Sequence, residues 1–310
     1  MDIYEQIIDS ASNIPSINMW EQALTLIKRA GTRKPYYWLL PVRACQAVGG
    51  TLEQAMPAAV AIACSHISIM LVDDMLDCDP RGEYRKIGSA AAANLAGAFQ
   101  AAALEAIAAC PCEPGRRLAA LVSLNQMTLT TTLGQYWDSQ SPTDEDGYWR
   151  VVRTKSSPFF GTALQLGALL GGGSIQVANQ LKELGALYGE MIQIHDDMND
   201  SMLVPANADW IQQRFSLPIL FARSVEHPAR ARFLELCLEI SDPQALSDAQ
   251  DILIQSGAVS YCVGQLLHKH QAMQALLNAT PLYARNDMDA LSQEVIEPVW
   301  KLFQEMELQV

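Results

Sequence analysis

Apolar residues recur at three- and four-residue spacing along nearly the whole chain, with Ala, Leu and Gln abundant and β-branched alternation rare. That spacing is the period of an α-helix with one buried face; a half-buried strand would alternate every second residue. Breakers interrupt the pattern at Gly49-Gly50, Pro80 to Gly82, Pro111 to Gly115, Ser141 to Gly147, Gly171 to Gly173, Pro205 to Asn207 and Asp242-Pro243. The helices predicted between them are mostly 15–25 residues long, with no Gly/Ser/Pro-rich linker and no low-complexity tract. The pattern predicts one all-α domain over residues 1–310. Two segments stand out, 60–77 and 183–200: each is a long apolar helix pattern that ends in a cluster of aspartates.

Composition narrows the picture. Half of the 310 residues are hydrophobic, enough for a sizeable core, and only 18% are charged, so much helix surface must be buried inside the chain or against a partner. A net charge of −13 argues against nucleic acid as a partner, since nothing here could neutralise a phosphate backbone broadly. A phosphorylated substrate would need a local basic pocket or metal ions. The start, Met1-Asp2-Ile3-Tyr4-Glu5, lacks the basic-then-apolar order of a signal peptide. The apolar stretches 55–72 and 89–110 are broken by His66 and two serines, and by Asn94, Gln100 and Glu105. Both fall short of the roughly 20 uninterrupted apolar residues of a membrane span, so buried core helices and no transmembrane segment are expected. Seven cysteines form no framework, and Cys110-Pro111-Cys112 has no histidine or further pair to make a zinc site. Free thiols in a reducing cytoplasm are expected.

In Asp73-Asp74-Met75-Leu76-Asp77 and in Asp196-Asp197-Met198-Asn199-Asp200 the acids sit at i, i+1 and i+4. On a helix the first and last share a face one turn apart, with the second adjacent. Like charges at that spacing repel by about 1 kcal/mol in water and by several near a protein surface. Such repulsion beside an apolar helix makes sense if a cation resolves it. Oxygen-only ligands select a hard ion such as Mg²⁺, which keeps several waters and takes one or two carboxylates plus substrate phosphates.

With both clusters in place, the chain resembles the trans-isoprenyl diphosphate synthases, or polyprenyl synthetases, over roughly residues 30–265. The clusters resemble that family's two DDxxD motifs. Gln193 matches the glutamine of F-Q-x-x-D-D, with Ile192 in place of phenylalanine. His66 matches the homoallylic-site histidine, and Gly134-Gln135-Tyr136-Trp137-Asp138 is similar to G-Q-x-x-D. Arg153-Thr154-Lys155-Ser156 resembles the lysine segment; Asp209 and Arg214-Phe215-Ser216-Leu217-Pro218 resemble G-K-D and K-x-T-x-P. Departures fall on the basic positions. Gly31-Thr32-Arg33-Lys34-Pro35 is one residue short of G-K-R-x-R-P. A single Arg81-Gly82 stands for R-R-G, with Arg85 and Lys86 as the substitutes at hand, and Ala208 and Arg214 replace lysines.

The resemblance implies a helical barrel around a central cavity, a homodimer, and a Mg²⁺-dependent prenyltransferase joining an allylic diphosphate to isopentenyl diphosphate. It implies metal binding by Asp73, Asp74, Asp77, Asp196, Asp197 and Asp200, with three ions once the diphosphate is bound. Lys155 and Arg214 would add positive charge to the leaving diphosphate, and the Gln193 oxygen would stabilise the allylic cation. Arg33, Lys34, His66 and Arg81 would orient isopentenyl diphosphate. Small Ser65 and Ser68, with Ile69, precede Asp73 on α-helical pattern and leave room for a product of C20 or longer. Three other readings compete: a class I terpene cyclase, a ComQ-like peptide prenyltransferase, which Tyr84-Arg85-Lys86-Ile87 also resembles, and a non-catalytic partner subunit. The cyclase is disfavoured because Leu203 stands where its second metal motif needs serine.

Overall fold

The structure, a computed structural model, describes residues 2–307, and among them the side chains of all but 208, 209 and 302–307. The Asp209 side chain, expected to match G-K-D, therefore lies outside the described residues. Among these residues every regular element is helical. In chain order they are α1 (Ile3–Ser12), α2 (Pro15–Asn18), α3 (Glu21–Thr32), a 3-10 turn (Tyr36–Leu39), α4 (Leu40–Ala47), α5 (Leu52–Leu76), α6 (Tyr84–Ile87), α7 (Ser89–Ala108) and α8 (Pro114–Asp138). There follow α9 (Glu145–Lys155), α10 (Ser157–Leu170), α11 (Ile175–Ser201), α12 (Ala208–Gln212), α13 (Leu217–Ser224), α14 (Arg230–Leu236), α15 (Pro243–Gln255), α16 (Ala258–Ala279) and α17 (Asn286–Glu307). Four of the seven predicted breaks lie wholly between helices; the other three, at 111–115, 141–147 and 242–243, run from a gap into the first turn of the next helix, α8, α9 and α15. The two aspartate clusters close α5 and α11.

The chain divides into two compact units, neither of them a continuous stretch. The first comprises Met1–Thr130, Phe159–Gly185 and Ala279–Asp289. Its core helix is α5, which begins in a capping box: the Thr51 hydroxyl accepts from Gln54 N–H, and the Gln54 side chain accepts from Thr51 N–H. α5 is apolar all round, as a helix covered on every side must be. Ile62, Ile67 and Leu71 are fully buried, each contributing about 1.5–3 kcal/mol of transfer free energy. α4, α7, α1 and α3 pack on it. Small residues set the closest approaches: a Cβ on Gly167 would lie 2.0 Å from the Pro41 carbonyl oxygen. α5 and α7 are long and apolar enough to cross a membrane, but 67% of the most apolar window of α5 is buried inside the protein.

The second unit comprises Thr131–Pro158, Ala186–Asn278 and Ala290–Val310. Its core gathers Trp210, Ile219, Phe233, Leu236, Leu246 and Leu253 from α12 to α15. α15 starts where Asp242 accepts from the Gln244 and Ala245 N–H groups and Pro243 takes the first turn, the position where a missing N–H costs nothing. Beside this core, Lys269 is buried against Glu190 and lies 4.0 Å over the Trp149 ring, so a cation kept from water is held by a carboxylate and an aromatic face. All seven cysteines are free thiols.

Candidate active site

In the first unit, the last turn of α5 carries Asp73 and Asp74, and Asp77 ends the helix. Burial first, and then the charges of Asp79 and Asp73, raise the Asp74 carboxyl above the usual carboxylate range. The loop that follows crosses close over Asp74: a Cβ on Gly82 would lie 2.9 Å from the Asp74 Cβ and 2.7 Å from the Tyr84 ring. Glycine permits that approach, and it brings Arg81, Glu83 and Lys86 back to the helix end. A cavity of about 300 Å³ opens here, lined by Asp74 together with Arg29, Arg33, Tyr37, His66, Arg81, Glu83 and Lys86. Four cationic side chains against two carboxylates make it a place for an anion. Glu83 bridges two of the cations, at 2.6 Å from Arg29 and 3.3 Å from Lys86, while Asp79 holds Arg81 at 3.1 Å. Of the residues expected here, Arg33, His66 and Arg81 line the cavity; Lys34 instead pairs with Asp2 at 2.6 Å in the open.

In the second unit, α8 and α9 meet through Gly134. A Cβ there would lie 2.3 Å from the Lys155 backbone nitrogen, so no other residue allows the approach. One turn on, Asp138 receives Lys155 at 2.6 Å, a half-buried pair. The G-Q-x-x-D spacing is thus a close contact followed by a carboxylate that aims the lysine. The next residue, Ser156, donates to Gln193 Oε1 at 2.9 Å, and Gln193 Nε2 donates to Asp197 Oδ1 at 2.8 Å. The other Asp197 oxygen accepts from Leu217 N–H at 2.9 Å, where the R-F-S-L-P segment begins α13. Asp197 is buried at 5% exposure, beside the buried Tyr148 hydroxyl, whose pKa burial and then Asp197 push up. Its neighbour Asp196 reaches water, yet protein on its other sides and then Asp200 push its carboxyl up to about 6. Arg214 is half-buried ahead of α13. His195, left out of the expected site, binds the Val295 carbonyl at 2.7 Å and so ties α11 to α17.

Comparison with known proteins decides the family. The polyprenyl synthetase family model matches residues 25–255, which includes both aspartate clusters, the cavity and the Lys155 segment. The chain belongs to the polyprenyl synthetase family. A geranylgeranyl diphosphate synthase of Methanosarcina mazei is 33% identical over 168 residues, 51% of this chain and 52% of that one. A short chain isoprenyl diphosphate synthase of Methanothermobacter thermautotrophicus is 26% identical over 310 residues, 94% of each chain. The match thus spans about half the length of the first relative and nearly all of the second. Among solved structures, a geranylgeranyl pyrophosphate synthetase from Pyrococcus horikoshii superposes with a TM-score of 0.79 at 20% identity, covering 95% of this chain and 94% of that one. A polyprenyl synthase from Caulobacter crescentus, complexed with calcium and isoprenyl diphosphate, gives 0.78 at 20% identity and covers 95% and 93%. These likenesses establish the all-α fold.

As a polyprenyl synthetase, the chain holds residues that its motifs alone did not reveal. Arg29 and Glu83 are 54 positions apart. Arg29 lies one helical turn before Arg33, so the period of α3 was the available signal, and it supplies a cation that the shortened basic motif lacks. Tyr37 and Trp38 follow that motif and carried no signal. The donor set of the first cluster is carboxylate oxygen throughout, which fits a hard divalent ion. Among the described residues no three His, Cys or acidic groups stand close enough to hold a metal alone.

Proposed function

We propose that this polyprenyl synthetase is a Mg²⁺-dependent prenyltransferase that condenses an allylic diphosphate with isopentenyl diphosphate to a linear product of C20 or longer. The observation that carries the reading is the cavity in which Asp74, the second acid of the first cluster, lines the wall together with Arg29, Arg33, Arg81 and Lys86. A carboxylate cluster and an anion pocket side by side suit two diphosphates, one reached through metal ions and one through guanidinium and ammonium groups.

Asp73, Asp74 and Asp77 on α5, and Asp196 and Asp200 on α11, are the groups that would hold metal ions; Mg²⁺ bound to such carboxylates would neutralise charge on a leaving pyrophosphate. Asp197 plays another part on this reading. Its oxygens accept from Gln193 and Leu217, so it fixes the glutamine and the α13 segment instead of a metal. Lys155, aimed by Asp138, supplies a fixed positive charge to the leaving group. The Gln193 carbonyl oxygen, oriented by Ser156, would stabilise the charge that develops on the allylic carbon. Arg29, Arg33, Arg81 and Lys86 hold the second diphosphate, releasing Glu83 as it enters.

Buried Ser65 and Ser68 on α5 leave space for a long tail, in keeping with the geranylgeranyl names of several relatives. The chain acts as a homodimer on this account: α7 leaves Ala93, Gly97 and Ala101 exposed at four-residue spacing, and α8 leaves Leu118, Val122 and Leu129 exposed. One relative, heptaprenyl diphosphate synthase component 2 of Geobacillus stearothermophilus at 27% identity, favours a second reading, a subunit that works with a different chain. Incubating the pure protein with Mg²⁺, isopentenyl diphosphate and geranyl or farnesyl diphosphate separates the readings. Longer linear diphosphates support condensation, hydrocarbons or alcohols a cyclase, and unchanged substrate the partner-dependent subunit.

A further inference from the structure

The cavity wall of the first unit contains a chain of three hydrogen-bonding side chains whose polarity can be read. Trp38 Nε1 lies 3.3 Å from His66 Nδ1, and Tyr37 Oη lies 2.8 Å from His66 Nε2. An indole N–H only donates, so His66 Nδ1 must carry its lone pair toward Trp38. An imidazole without a proton on Nδ1 carries one on Nε2, and that N–H donates to Tyr37 Oη. The tyrosine oxygen therefore accepts from His66, and its own proton is directed away from the histidine. Both Tyr37 and His66 line the cavity, among Arg29, Arg33, Arg81 and Lys86.

The arrangement is held in place. Trp38 is fully buried, with Tyr4 6.5 Å away on one side, and its ring sits 3.3 Å from where a Cβ on Gly31 would lie. The Tyr37 ring stands edge-on to His66 at 4.8 Å, to Phe159 at 5.7 Å and to Phe160 at 6.3 Å, which fixes the direction of its hydroxyl. A second proton on His66 would point at the indole N–H, so this geometry keeps the imidazole neutral. Burial and the nearby Arg33 charge, which lower its pKa to about 4, act in the same direction. A neutral imidazole adds no charge for an anion. It passes polarisation from the indole through to the phenol, since chained hydrogen bonds strengthen one another.

We propose that Tyr37 hydrogen-bonds the diphosphate of the second substrate directly, and that His66 is a positioning residue whose tautomer Trp38 sets. The proposal rests on the functional reading above and deepens it: beside the cations of the cavity, a phenol oriented by a tautomer-locked imidazole donates to the anion. It also explains why a histidine deep in an apolar helix borders an anion site without being charged.

Two measurements test it. Calorimetric titration of isopentenyl diphosphate into the full chain should show Tyr37→Phe weakening its Kd roughly 10- to 100-fold, the range for a hydrogen bond to a charged group, with the KM of the allylic substrate unchanged. The phenylalanine keeps the ring packing, so a folding defect is not the expected cause. In ¹⁵N spectra of histidine-labelled protein, His66 should show a lone-pair nitrogen at Nδ1 and a protonated one at Nε2, and Trp38→Phe should erode that preference. A Tyr37→Phe protein binding isopentenyl diphosphate like wild type, or a proton on Nδ1 in wild type, overturns the proposal. Tyr37-dependent binding without any condensation leaves the proposal standing and overturns only the functional reading. Absence of isopentenyl diphosphate binding by wild type overturns both.

Discussion

Replacing His66 by glutamine should flatten the loss of stability that acid brings. The imidazole is half-buried at the cavity wall with both nitrogens engaged, and desolvation and then Arg33 lower its pKa from 6.5 to about 4. Between those values the unfolded chain binds a proton that the folded chain refuses, so stability falls as pH falls through this window. At pH 5 the unfolded form gains about 2 kcal/mol from that proton while the folded form gains almost nothing, and the loss approaches about 3 kcal/mol near pH 4, at 1.36 kcal/mol per unit. His195 and His270, also lowered by burial, contribute slopes of the same sign, so the comparison of variant with wild type is what isolates His66. Glutamine keeps a donor and an acceptor but takes no proton. Urea unfolding at pH 7 and pH 5 should show wild type losing about 2 kcal/mol more than His66→Gln. Equal losses in the two proteins would refute the neutral, indole-locked histidine.

Gly134→Ala should destabilise the protein by about 2 kcal/mol or more in thermal unfolding and slow turnover: the Cβ meets the Lys155 backbone at 2.3 Å, and overpacking against backbone outweighs the roughly 1 kcal/mol that alanine gains in helix propensity. Ile69→Phe, one turn before Asp73 on α5, should shorten the product, read by chromatography of the dephosphorylated alcohols; an unchanged length would place the cavity floor on other residues. Leu129→Glu puts a charge in the exposed stripe of α8 and should yield monomers in light scattering where wild type gives dimers; dimers in both would move the interface elsewhere.

How much of this could be read from the residues depended on the range of each interaction. Seven breaks and two cluster-ended helices were legible because Gly, Pro and the helical period act locally. Short α2, α6, α12 and α14, of 4 to 7 residues, carry too few turns to show a period. The different surroundings of Asp196 and Asp197 were invisible. Neighbours in sequence, they differ by about 100° of helix rotation, which leaves one in reach of water and turns the other onto Gln193 and Leu217. Arg29 with Glu83, and Trp38 with His66, lie 54 and 28 positions apart, and only the folded backbone brings them together. Lys34 follows Arg33 in the motif, yet its backbone, at a φ of 49°, turns it toward Asp2.

The most direct test of the central claim is Mg²⁺-dependent condensation by wild type, Asp73→Ala and Asp196→Ala, with linear prenyl diphosphates measured by mass spectrometry beside the circular dichroism of each protein. The account predicts product from wild type with Mg²⁺, none after chelation, and loss of about 10²- to 10³-fold in each variant, the scale of removing a charge-stabilising group, with the helical spectrum retained. Undiminished product from both variants, or product in the presence of chelator, would contradict it.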